Sequence, residues 1–280
     1  MPNPGAKRTH RTFPVYDNMF YIGKPDTTKY GLIPSNIIDD AHIWPHGQNY
    51  GALPSRSVFD ALIAANNTNP GPTVLDTEKL PLKGSPSTIQ QHLQVLATLA
   101  DWTRADARGK TVGYYGYNTL TGVPPASRSY AQQLARHVEA FFPSMYTFDD
   151  DQAAWATRAA TEAAEDRALA AGKPFFFYLW PQYHDGTPKQ FQYIDTAYWK
   201  FQLDTSYKYA DGIVLWGPQD HSSCPGHPLS RGDDNLLRTS SSFDSFSARR
   251  PQMPSGGGCI APPMRSCPLP LSIPDRCWFA

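Results

Sequence analysis

The spacing of short apolar runs constrains this chain more than any other feature. Val74-Leu75, Val112-Gly113-Tyr114, Phe141–Phe148, Phe175–Trp180 and Gly212–Gly217 recur roughly 30–40 residues apart. Each is rich in aromatic or β-branched residues and punctuated by Gly or Pro, so each predicts a strand. Phe175–Trp180 is apolar without a break, the pattern of a strand buried on both faces. Helical patterns lie between the runs. Ser85-Pro86 offers an N-cap and a first-turn proline, Ile89, Leu93, Leu96, Leu99 and Trp102 continue an apolar stripe, and Gly109 stops it. Ser57–Asn66 reads as a short helix, and Tyr130, Leu134, Val138 and Phe141 predict another. Asp149–Asp151 put negative charge at the start of an alanine-rich helix that closes at Gly172-Lys173-Pro174, and Ile194–Tyr209 supplies one more.

Phe13–Gly23 and part of Tyr30–Trp44 add two strands, which makes seven. Strands alternating with amphipathic helices mean βαβ units and a parallel sheet. The expected fold is therefore α/β, a TIM-like (β/α) barrel of seven strands over residues 13–217. A doubly wound open sheet is the alternative, but no glycine-rich phosphate loop follows the first strand. Residues 1–12 are read as a disordered lead. Residues 218–280, dominated by Pro, Ser and Gly, are read as a low-complexity disordered tail without the helix expected after a last strand. Arg231-Gly232-Asp233 in such a tail is read as a chance tripeptide.

Charge excludes some partners. Basic and acidic side chains balance at 25 each, so no basic stripe exists to neutralise phosphate and no nucleic-acid partner is expected. No apolar run is long enough to span a bilayer, so no membrane partner is expected either. Met1–Thr12 is polar and basic with no apolar signal region, which leaves the cytosol, or an export signal outside this chain, as expectations. Cys224, Cys259, Cys267 and Cys277 all lie in the tail at spacings that fit no zinc pattern, and nothing catalytic rests on them. His42 and His46 are four apart, but Pro45 between them argues against a helical metal pair. No metal and no cofactor is expected, and a monomer is.

The chemistry gathers where the strands end. Asp76 and Glu78 are two apart at the end of the Thr73 strand, and alternation along a strand points both to one face. Two acids finishing a buried strand are costly unless they act, and one action is glycoside cleavage. The bland alternative is a turn cap and a solvated loop charge. Other ends carry Tyr115 and Tyr117, Tyr146, Trp180 with Gln182 and Tyr183, and Trp216. Carboxylates among aromatics, with no cofactor loop, describe a carbohydrate cleft.

Leu75-Asp76-Thr77-Glu78, Val112–Tyr117, Phe142–Tyr146 and Gly212–Gly217, in this order, resemble the hyaluronidases. The resemblance implies a distorted seven-stranded α/β barrel that cleaves β-linked N-acetylhexosamine polysaccharides, hyaluronan-like or chitin-like. It implies a retaining, substrate-assisted mechanism and an extracellular location. By the same resemblance Glu78 is the general acid, Asp76 stabilises the substrate's 2-acetamido group, Tyr146 bonds that group, and Trp216 walls its pocket. Tyr115, Tyr117, Trp180 and Tyr183 are candidates for substrate binding. A non-catalytic carbohydrate-binding barrel is the alternative. Asp149 and Asp185 are rivals for a protein nucleophile.

Overall fold

The structure is a computed structural model that describes residues 12–21, 23–45, 50–116 and 127–218. Tyr117, His46, the four cysteines, the lead before Thr12 and the tail after Pro218 lie outside the described residues. The strands are β1 (Val15–Met19), β2 (Ile33–Pro34), β3 (Asn36–Asp39), β4 (Thr73–Asp76), β5 (Val112–Tyr114), β6 (Phe176–Leu179) and β7 (Gly212–Gly217). The helices are α1 (Asp40–Ile43), α2 (Arg56–Asn66), α3 (Pro86–Asp106), α4 (Arg128–Leu134), α5 (Gln152–Leu169) and α6 (Thr196–Tyr209).

All strand pairs are parallel, in the orders β2-β1-β7-β6 and β3-β4-β5. Two seams join these sets. Ser35 alone separates β2 from β3; its amide bonds to the carbonyl of Asp17 in β1, while Asn36 and Gly71 bond across to Pro72 and Pro34. At the other seam, residues 141–147 run between β5 and β6, with parallel bridges Tyr115–Phe142 and Ser144–Tyr178. Seven parallel segments thus follow one another in hydrogen-bonded order, the TIM-like α/β architecture read from the sequence.

Alternation sorts the side chains into two layers. Phe142, Tyr146, Phe176, Tyr178, Trp180 and Val214 pack in an inner cluster with Val74. Phe141, Met145, Phe175, Phe177, Leu179 and Ile213 point the other way and pack with the helices. Gly113 permits the close approach of β5 to the next segment. A Cβ there would overlap the carbonyl oxygen of Ala140 and the Phe142 ring.

The cap expected at Ser85 is present, and two aspartates act in the same way. Ser85, Asp151 and Asp195 each accept hydrogen bonds from backbone N–H groups of the first turn of α3, α5 and α6. Two elements differ from the sequence reading. The helix expected through Phe141 ends at Leu134, because Glu139 and Ala140 give their amides to the Val112 carbonyl and Phe141 gives its own to Pro174. Val138 and Phe141 are buried as expected but outside any helix, Phe141 through a parallel bridge to Phe175. The Phe141–Phe148 strand is a series of isolated bridges, since Pro143 has no N–H to continue a ladder.

Candidate active site

Asp76 is the last residue of β4 and follows inner-facing Val74 by two, so alternation aims it inward at the strand ends. Hydrogen-bonded strand stops there. Glu78 stands on the turn that follows, exposed, so the argument that both acids share one pleated face holds for Asp76 and not for Glu78. The two carboxylates are nonetheless close enough for Glu78 to act on Asp76. Burial pushes the Asp76 carboxyl up to about 8, and the negative charges of Glu78, Asp40 and Asp39 add to it. Its Oδ1 is buried with no hydrogen-bond partner among the described residues. At neutral pH this carboxyl holds a proton.

Two further acids, not singled out by sequence reasoning, complete the group. Asp39 is the β3 residue paired with Asp76 across the ladder. It caps α1, and despite burial its pKa is lowered by the His42 ring nitrogen 2.7 Å away. Asp40 is pushed up to about 7 by burial, opposed by the hydrogen bond from the Lys79 amide at 3.2 Å. The His42 pairing could not be read from sequence spacing, because it depends on a four-residue helix ending before Pro45.

An aromatic wall faces these acids. Tyr146 packs on Trp216 with centroids 5.6 Å apart and rings inclined by 33°, and on Trp180 at 5.8 Å. Trp180 meets Trp216 edge-on at 4.8 Å. Tyr115 lies 6.0 Å from Tyr146, and its hydroxyl donates to Ser144 at 3.0 Å. Burial raises the Tyr115 hydroxyl, and the charges of both Glu78 and Asp76 raise it further, which ties the wall to both acids. Tyr146 is likewise raised, chiefly by burial, with Asp76 among the charges acting on it.

The wall is held from behind. The Trp180 ring N–H donates to the Tyr21 hydroxyl and to Gln182 Oε1, both at 3.0 Å, and Tyr21 donates to the same Gln182 oxygen at 2.7 Å. Tyr21 fits only because residue 217 is glycine; a Cβ there would overlap its ring. Tyr178, buried in the inner cluster, accepts from the Asn18 amide at 3.0 Å. His184 stacks on Tyr146 and Phe148, at 5.5 and 4.8 Å.

The structure brings Asp76, Glu78, Tyr115, Tyr146, Trp180 and Trp216 to one region. Tyr183 it takes elsewhere. Trp180 and Gln182 share one side of the chain, and Tyr183 turns to the outer core, where its hydroxyl donates to Asp150 and Lys189 sits over its ring. Asp149 accepts from the Asp151 amide at 2.9 Å and Asp185 lies 2.5 Å from the His184 ring, both exposed on loops.

These features define a TIM-like α/β fold with carboxylates and an aromatic wall at its strand ends. Among solved structures similar to the chain are two of bee venom hyaluronidase. One, a monoclinic crystal form, is 15% identical over 74% of this chain and 91% of that one, with a TM-score of 0.57. The other, in complex with a hyaluronic acid tetramer, is 16% identical over 76% and 92%, with a TM-score of 0.58. At that identity the likeness is one of fold. No protein-family model matches the chain, and no curated protein sequence does.

Proposed function

We propose that the chain is a glycoside hydrolase that cleaves β-linked N-acetylhexosamine polysaccharides with retention, using the substrate's own 2-acetamido group as nucleophile. The observation that carries this reading is Asp76: inward, half-buried, with a free Oδ1, protonated at neutral pH beside Glu78, and facing an aromatic wall. Asp76 holds its proton in the free site and passes it to the neighbouring Glu78 when substrate binds, so that Glu78 can donate while Asp76 carries the charge. Glu78, nearer solvent, protonates the leaving glycosidic oxygen. The acetamido oxygen attacks the anomeric carbon as that bond breaks, and the Asp76 carboxylate stabilises the positive charge on the cyclic oxazolinium. Water, deprotonated by Glu78, then attacks the same carbon and restores the acetamide. Tyr146 hydrogen-bonds the acetamido group, and Trp216 covers its methyl.

A retaining pair of protein carboxylates would need a second acid about 5–5.5 Å across the bond. Asp149 and Asp185 are held on exposed loops by other partners. A substrate-supplied nucleophile removes the requirement. The exposure of Glu78 favours one other reading, a barrel that binds sugar on its aromatic wall without cleaving it. Reducing-end release from N-acetylhexosamine oligomers separates the two. Aryl N-acetyl-β-glucosaminide oligomers should react while 2-hydroxy analogues do not, and equal cleavage of both would end the substrate-assisted mechanism.

A further inference from the structure

The loops that follow β1, β3, β4, β5, residues 141–147 and β6 carry a charge pattern that selects among the sugars such a site could take. Residues 20–32, 39–55, 76–85, 115–127, 148–151 and 180–195 together contain ten Asp or Glu, five Lys and no Arg. The acids include the site's own Asp39, Asp40, Asp76 and Glu78, of which Asp76 holds its proton at neutral pH and adds no charge, so nine remain against the five lysines. Most of the lysines are already engaged. Lys24 bonds both oxygens of Asp17, at 2.9 and 2.7 Å, Lys189 pairs with Asp150, and Lys29 lies 3.9 Å from Asp26. Lys79 acts on Asp40. Lys83 has no acid partner among the described residues. His42 and His184 are each within 2.7 Å of an aspartate.

Among the described residues, three arginines on the helices next to these loops face other tasks. Arg56 pairs with Asp60 and Asp106, Arg128 with Glu165, and Arg158 donates to the Tyr146 carbonyl while lying over Phe148. A polymer with a carboxylate on every second sugar is best matched by guanidinium groups that grip it with two parallel hydrogen bonds. These loops offer none. Carboxylates of one sign around a low-dielectric cleft repel an anionic chain and slow its encounter. The wall of Tyr146, Trp180 and Trp216 needs no charge to hold a sugar face.

We propose that this site takes an uncharged N-acetylhexosamine polymer and discriminates against uronate-containing ones. The inference rests on the glycosidase reading above and narrows its substrate class.

The test uses the full chain, with tryptophan fluorescence for binding and reducing-end release for cleavage. Neutral chitin hexasaccharide and hyaluronan hexasaccharide are compared at about 20 and 300 mM salt, on either side of the ionic strength where screening sets in. The neutral oligomer should bind at least about tenfold tighter at low salt, with little change as salt rises. Hyaluronan binding should strengthen with salt, because screening relieves repulsion. Asp185→Arg should improve hyaluronan binding several-fold at low salt and leave the neutral oligomer within about twofold. Hyaluronan bound as tightly as the neutral oligomer, or bound more weakly as salt rises, would overturn the charge inference and leave the glycosidase reading standing. Neither oligomer bound nor cleaved would overturn both.

Discussion

Asp76 and Asp39 are direct partners on the last rung of the β3–β4 ladder, so two carboxylates meet where the strands end. Like charges directly opposed across a ladder destabilise it. The conflict is resolved by protonation: His42 keeps Asp39 in its charged form, and Asp76 keeps its proton.

The pH dependence of Asp76 follows with a definite sign. Its carboxyl titrates near 3.8 in an unfolded chain and near 8 in the folded one. Between those values the folded state binds more protons, so this contribution to stability is present below the lower value and lost as pH rises through the window. Asp76→Asn should therefore melt above wild type at pH 8 and match it near pH 4, with a gain of about 1–2 kcal/mol. The same variant should bind a thiazoline mimic of the cyclised intermediate less tightly and turn over more slowly. An unchanged melting difference across pH 4–8 would place the proton elsewhere.

Glu78→Gln separates binding from chemistry. Glu78 is exposed on its turn, so the substitution should leave the fold and oligosaccharide binding intact. Turnover should fall by about 10²–10⁴-fold, the usual contribution of a general acid. Steady-state kinetics check this, and turnover within a few-fold of wild type assigns the acid to another residue.

Tyr21→Phe tests how the wall is held. It removes the hydroxyl that links Trp180 and Gln182, at a cost of about 1 kcal/mol and a melting point lower by about 2–4 °C. KM should rise more than kcat falls, because Trp180 loses its orientation while the acids keep theirs.

Glu162 gives a stability test remote from the site. It is fully buried on α5, neither of its oxygens has a hydrogen-bond partner among the described residues, and its pKa is pushed up to about 9 by burial and by Asp166 and Glu165. Its effect has the sign of Asp76: stability falls as pH rises from 4.5 toward 9. Glu162→Gln should flatten that loss and be more stable than wild type by about 1–2 kcal/mol at pH 9, measured by denaturant unfolding.

What the sequence determined by itself was local. Alternating apolar side chains in Phe175–Trp180 dictated one layer inward and one outward, and Ser85, Asp151 and Asp195 started their helices because a cap needs only the next three residues. Asp76 was legible for the same reason, as a charge at the end of an apolar strand. Tertiary structure decided the rest. Tyr130 to Phe141 carries a helical period, but the Val112 carbonyl claims two amides and ends the helix early. Tyr183 stood beside Trp180 in the sequence, yet alternation and the Asp150 carboxylate took it to the other layer. Asp39 and His42, the clamp of Tyr21 on Trp180, and the proton on Asp76 arise from groups brought together by the fold. Burial and like-charge proximity depend on distances through space, which strand and helix periods do not encode.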